Sequence, residues 1–251
     1  MPGLALRCLR RFVEIEGTQH ATVLSAQAFT SLIPFLVVAA VFAPGDADLS
    51  DRIVDRFGLE GESARSVGAL FADSGEVEGT LTGISVVILV LATLSFSRAI
   101  QRMYQRAYGH EPGGIRDAPL GLLWLAGLAL WLVIVSPLRQ SLEDVGGVAF
   151  AIVLGTATGA VLWLWTPVCL LRARDWHRLV PGAVISGVLG ALLTVASAVY
   201  VPVLMNWSAD RYGLIGIAFT LQSWLLVFAF VVVIGAVVGA VVSEARAHGR
   251  I

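Results

Sequence analysis

The residues able to do chemistry are few and far apart. His20, His110, His177 and His248 are widely separated, whereas a helical metal or proton-relay pair needs imidazoles three or four positions apart. Cys8 and Cys169 form no CxxC pair and read as unpaired packing thiols. Asp46/Asp48 and Glu76/Glu78 could in principle share a proton as a general acid/base pair. Close acids in a polar segment are more often solvated loop charges. A Gly-rich phosphate cradle, an HExxH helix and a GxSxG elbow are all absent from the sequence. The expectation is therefore a protein that is not an enzyme, with no catalytic residue, no metal site and no cofactor.

Uncharged polar residues are more suggestive. At 100° per residue Gln27, Thr30, Ser31 and Pro34 share one helix face. An amide and two hydroxyls there could line a cavity, or the hydroxyls could satisfy backbone carbonyls near the proline. Gly216, Thr220 and Ser223 share a second face, with Gln222 pointing elsewhere. Arg98, Arg102 and Arg106 recur every four residues as a basic stripe opposite Ile100, Met103, Tyr104 and Ala107. Such a stripe suits contact with anionic lipid headgroups, and the plainer alternative is membrane anchoring by snorkelling arginines.

The elements that carry these residues are set by where charge is missing. Of 251 residues 57% are hydrophobic and only 14% charged, far below the quarter expected of a soluble domain. Charge-free stretches run from Gly17 to Gly45, Gly79 to Ser97, Ala118 to Leu138, Val145 to Leu171, Leu179 to Ala209 and Tyr212 to Ser243. About 20 helical residues cross a hydrocarbon core of roughly 30 Å, so each stretch is long enough. The runs lack the alternation of a barrel strand. The expected fold is all-α: a single polytopic membrane domain, 1–251, with transmembrane helices near 21–43, 80–97, 119–137, 146–170, 181–204 and 214–242. Residues 44–79 form an extracytoplasmic loop in that scheme, with short amphipathic helices expected over Leu49 to Leu59 and Ser63 to Phe71.

Charge also orients the chain. With both termini cytoplasmic, twelve of the 17 arginines lie inside, and three of the five outside fall in the long loop, where the positive-inside rule weighs least. Leu4 to Ile15 interleaves Leu6, Leu9, Phe12 and Val13 with Arg7, Arg10, Arg11 and Glu14, as a helix lying along the membrane face does. The apolar run after it is too long for a cleaved signal peptide. Gly155-xxx-Gly159 and Gly235-xxx-Gly239 place small residues one turn apart for close helix packing, and Trp131 and Trp224 fall away from the interfaces, where they face other helices. No span centre holds an ionisable residue, which argues against a proton pump. A net charge of −1 argues against a nucleic-acid partner.

Several strings, taken in order, resemble the YihY/virulence factor BrkB family, also called ribonuclease BN-like. They begin with Ser25-Ala26-Gln27-Ala28 and Ser31-Leu32-Ile33-Pro34, then Ser97-Arg98-Ala99-Ile100 leading to Tyr104. Trp165-Thr166-Pro167, Trp176 with Pro181-Gly182-Ala183, Tyr212-Gly213, Trp224 and Gly235-Ala236 complete the series across nearly the whole chain. Relatives often carry Glu after the last Gly-Ala, where this sequence has Val237, so no carboxylate role transfers. The resemblance implies six helices in a bacterial plasma membrane and no established activity. The cytoplasmic segments lack the clustered ligands and phosphate-gripping surface that metal-dependent RNA cleavage needs. Transport or translocation of a lipid-like or amphipathic substrate is the leading expectation, with Gln27, Ser31, Pro34, Tyr212 and Gly213 as candidate pathway and the lipid bilayer as partner. A non-transporting scaffold and, behind it, a membrane enzyme are the alternatives.

Overall fold

A computed structural model describes residues 2–42, 61, 65, 80–110, 118–172 and 175–247. Among them the secondary structure is helical throughout: α1 (Pro2–Glu14), α2 (Gly17–Phe42), α3 (Thr80–Tyr108), α4 (Ala118–Leu171), a 3-10 turn at Trp176–Arg178, and α5 (Val180–Ala247). The expected helices at Leu49 to Leu59 and Ser63 to Phe71 lie outside the described residues, as do Asp46, Asp48, Glu76, Glu78 and His248.

Helical assignment runs unbroken through α4, yet its side chains show that it doubles back. Trp124 Nε1 donates to Thr166 Oγ1 at 3.1 Å, Trp131 Nε1 to the Thr158 carbonyl at 3.0 Å, and Cys169 Sγ to the Leu120 carbonyl at 3.7 Å. In each pair the two residue numbers sum to nearly the same value, the signature of an antiparallel hairpin. A straight helix would hold Trp131 and Thr158 roughly 40 Å apart. Likewise α5 is broken at Gly213, whose φ of 60° and ψ of −143° are not helical. Its two arms meet at Ser208–Thr220, Ser197–Trp224, Ser186–Gly235 and Gly182–Gly239. Glycine is the residue that can take that left-handed φ without a Cβ penalty.

Among the described residues, three segments are long and apolar enough to cross a membrane: Ile152–Leu171, Val180–Gly213 and Ile215–Ala247. The first two bury only 22% and 17% of their most apolar stretch, while the third buries 50%, so the last arm is the most enclosed of the three. Large apolar side chains such as Leu122, Leu130, Val153 and Val161 remain uncovered, which in water would be a severe cost and in lipid is the normal state.

The chain divides into two compact units. The first combines Met1–Leu24, Leu94–Val195 and Val227–Ile251. Its interior holds Met103, Leu170, Val233, Ala236 and Val237 among small polar residues such as Ser97, Thr166 and Ser186. Helix backbones approach closely there. A Cβ on Gly159 would stand 3.4 Å from the Gly187 Cα, and one on Gly239 would strike the Gly182 Cα. Both Gly-xxx-Gly pairs thus serve as packing faces, as their spacing suggested. The second unit comprises Ser25–Thr93 and Ala196–Leu226, with Ser25, Val201, Met205 and Ala209 buried.

Candidate functional site

In the second unit, the polar residues of α2 and α5 sort into local and bridging roles. Thr30 Oγ1 donates to the Ala26 carbonyl at 2.9 Å and Ser31 Oγ to the Ala28 carbonyl at 2.8 Å, so these hydroxyls bond their own helix backbone. Thr30 is exposed, and Gln27 and Ser31 are half-buried. Pro34 lies within α2. The connection between α2 and α5 comes instead from residues that sequence spacing did not pair. Gln222 Nε2 donates to Ser25 Oγ at 3.3 Å, and Ser25 is 1% exposed. Gln222 Oε1 is shut off from solvent and accepts no hydrogen bond among the described residues.

A carboxamide oxygen so placed costs about 1–3 kcal/mol by protein mutational data, so this seam is not chosen for stability alone. Gln222 pointed away from the Gly216, Thr220 and Ser223 face, and its isolation in an apolar run was the available signal. Thr220 itself bonds Ser208 Oγ at 2.9 Å, closing the hairpin beside the Gly213 break. Tyr212 is exposed at that break, and the Arg211 guanidinium lies 5.9 Å from its ring and 5.8 Å from that of Trp207. The candidate pathway residues therefore occupy two places: Gln27, Ser31 and Pro34 along α2, and Tyr212 and Gly213 at the bend of α5.

In the first unit, Arg98, Arg102 and Arg106 are all exposed while Ile100, Met103, Tyr104 and Ala107 are buried behind them, as the periodicity requires. Two further polar residues join the buried side. Gln105 is 5% exposed, and Gln101 Nε2 donates to the Leu170 carbonyl at 2.9 Å, satisfying an otherwise orphan carbonyl at the end of α4. Burial raises the Tyr104 and Tyr108 phenols above their ordinary range, and the two rings stack with centroids 6.3 Å apart. Both stay neutral at any physiological pH.

Helix α3 ends in a Schellman motif. Gly109 has a φ of 69°, its N–H bonds the Arg106 carbonyl at 3.4 Å, and the His110 N–H bonds the Gln105 carbonyl at 2.8 Å. The remaining Ala107 carbonyl accepts from Arg11 Nε and Nη2 at 3.3 and 3.1 Å, and Arg11 also pairs with Glu244 at 3.6 Å. One guanidinium thus ties α1 to the ends of α3 and α5. Phe12 stacks on Phe230, centroids 6.4 Å apart, and fills the space over Gly17 where any Cβ would collide. Leu6, Leu9 and Val13 of α1 are left 62–70% exposed as an apolar ridge.

His20 follows one turn into α2. Burial, with Arg106 and Arg102 nearby, lowers its pKa, and Glu16 opposes that shift. Glu16 holds Arg106 at 3.8 Å and has a φ of 57°, a left-handed conformation that turns the chain between α1 and α2. Burial raises the pKa of the Cys8 thiol, with Arg7 lowering it less, so it is a poor nucleophile. Among the described residues no three His, Cys, Asp or Glu side chains gather where a metal ion could be held.

Compared with known proteins, residues 8–250 match the family model described as Virulence factor BrkB. No curated protein and no solved structure matches the chain.

Proposed function

The chain belongs to the Virulence factor BrkB family, and on that premise we propose that it is a six-span plasma-membrane protein that moves a lipid-like or amphipathic substrate. The reading counts α2, α3, both arms of α4 and both arms of α5 as spans, with both termini on the cytoplasmic side favoured by the arginine distribution. The observation that carries it is Gln222: in one of the most apolar segments, its carboxamide bonds Ser25 through one end and keeps the other dry. Polar groups persist inside membranes chiefly where they meet something polar in passage or lock helices together. A seam with spare acceptor capacity and no ionised group suits a substrate that is itself amphipathic. Such a protein carries out no bond chemistry.

Purified protein in vesicles carrying a fluorescent phospholipid tests this directly. Transbilayer movement should exceed that of protein-free vesicles, fall at least tenfold with Gln222→Leu, and survive in part with Gln222→Asn. Movement no faster than in empty vesicles, or a Gln222→Leu variant as active as the parent, would overturn the reading. The scaffold alternative draws on the uncovered ridge of α1. A helix with apolar residues on one side and arginines on the other is equally at home at the lipid interface.

A further inference from the structure

A cleft of about 470 Å³ opens in the first unit, among the end of α3, the turn between α4 and α5, and the last turns of α5. Its lining includes two guanidinium groups, Arg172 and Arg178, two carboxylates, Asp175 and Glu244, and the apolar side chains of Leu171 and Leu179. We propose that this cleft holds the headgroup of a membrane aminophospholipid, a phosphodiester bearing a primary ammonium, of which phosphatidylethanolamine is the simplest.

Position favours a lipid. Leu171 is the last residue of one candidate span and Val180 the first of the next, which would put Arg172 and the Trp176–Arg178 turn at headgroup level. Charge then selects the headgroup. The guanidinium fork matches a phosphate, which can bridge two arginines, and the carboxylates match an ammonium. Charges of both signs stand among the described lining residues, so a headgroup with both a phosphate and an ammonium answers each of them, and a purely anionic one leaves Asp175 unanswered. A quaternary ammonium would bring charge without N–H donors. Leu171 and Leu179 offer an apolar surface to the glycerol and the upper acyl carbons.

The existing ion pairs do not block this use, although Glu244 is already held by Arg11 at 3.6 Å, which leaves Asp175 as the carboxylate for the ammonium. Arg178 and Asp175 stand 3.9 Å apart with side chains 68% and 74% exposed, a contact that contributes little and exchanges readily for a ligand. Backbone geometry helps present the site. Arg172 follows the last residue of α4 with a φ of 51°, and the Trp176–Arg178 turn closes with the Leu179 N–H bonded to the Trp176 carbonyl at 2.9 Å.

Binding here is independent of the Ser25–Gln222 seam, so it stands or falls separately from translocation. Native mass spectrometry of the whole protein, released from nanodiscs of equal phosphatidylethanolamine, phosphatidylglycerol and phosphatidylcholine, counts the lipids retained. The expected result is phosphatidylethanolamine retained about fivefold over either competitor, the discrimination of roughly one exposed charged contact. Arg172→Gln/Arg178→Gln should lose retention of that lipid. Asp175→Asn should keep phospholipid but lose the preference for ethanolamine over glycerol. Equal retention of all three lipids by the parent protein overturns the proposal and needs no variant to fold. Retention unchanged in the double arginine variant also overturns it. Soluble phosphoethanolamine that binds while the lipid does not would reassign the cleft to a free metabolite and equally overturn it.

Discussion

His20 sits at the edge of the apolar region with two arginines near it, and its proton affinity is depressed. Because its folded pKa lies below its unfolded value of about 6.5, the unfolded chain binds the proton first as pH falls. The associated stability is present above about pH 6.5 and is lost as pH drops toward the folded pKa. Thermal unfolding in detergent should therefore show lower Tm below that pH, and His20→Gln should flatten the dependence. A parent protein with a flat profile between pH 5 and 8 would contradict the assignment. Arg11 makes a different kind of claim. Substituting Gln removes the cap on Ala107 and the pairing with Glu244, which for a half-exposed guanidinium should cost about 1 kcal/mol. Protease cleavage within α1 should become faster. The exposure of Arg98, Arg102 and Arg106 was legible from their four-residue spacing alone. Gln222 was not paired with Ser25, because helical spacing reports only which residues share a face and never which face meets which helix.

Elements are held together here by the absence of side chains as much as by their presence. Gly182 and Gly239 touch backbone to backbone, and Tyr108 stands over both, so a Cβ on either glycine has nowhere to go. Gly239→Ala should destabilise the folded protein by about 1–3 kcal/mol as forced overpacking does, read as a lower Tm in detergent. Gly3 has open space around it, and Gly3→Ala is the matched control with no expected loss. Both Gly-xxx-Gly pairs were visible as packing spacings in the sequence, but their partners Gly187 and Gly182 were not, since a glycine announces closeness without naming its neighbour. The hairpin in α4 illustrates the same limit. Charge at Arg139, Glu143 and Asp144 marked a break between spans, whereas the inward turn of Trp131 toward Thr158 needed the structure to identify its acceptor. Trp131→Phe should cost about 1 kcal/mol, the net worth of one hydrogen bond.

At the scale of the whole molecule, the membrane character was readable from composition, because ionised groups are expensive in hydrocarbon and water imposes no comparable pressure to clear them from six long intervals. Function was less legible, because intervals cleared of ionised side chains hold no charged marker of a site. The proposed six-span topology makes a simple commitment: reporters fused at the two termini should both appear on the cytoplasmic side, and opposite sides would contradict an even number of spans. The contact between Gly182 and Gly239 also limits how a lipid could travel. Two backbones that nearly touch leave no slot wide enough for an acyl tail, so the paired ends of the α5 arms are a sealed hem. On the proposed reading, any doorway through which a tail slips in from the surrounding leaflet must open along a different pair of helices.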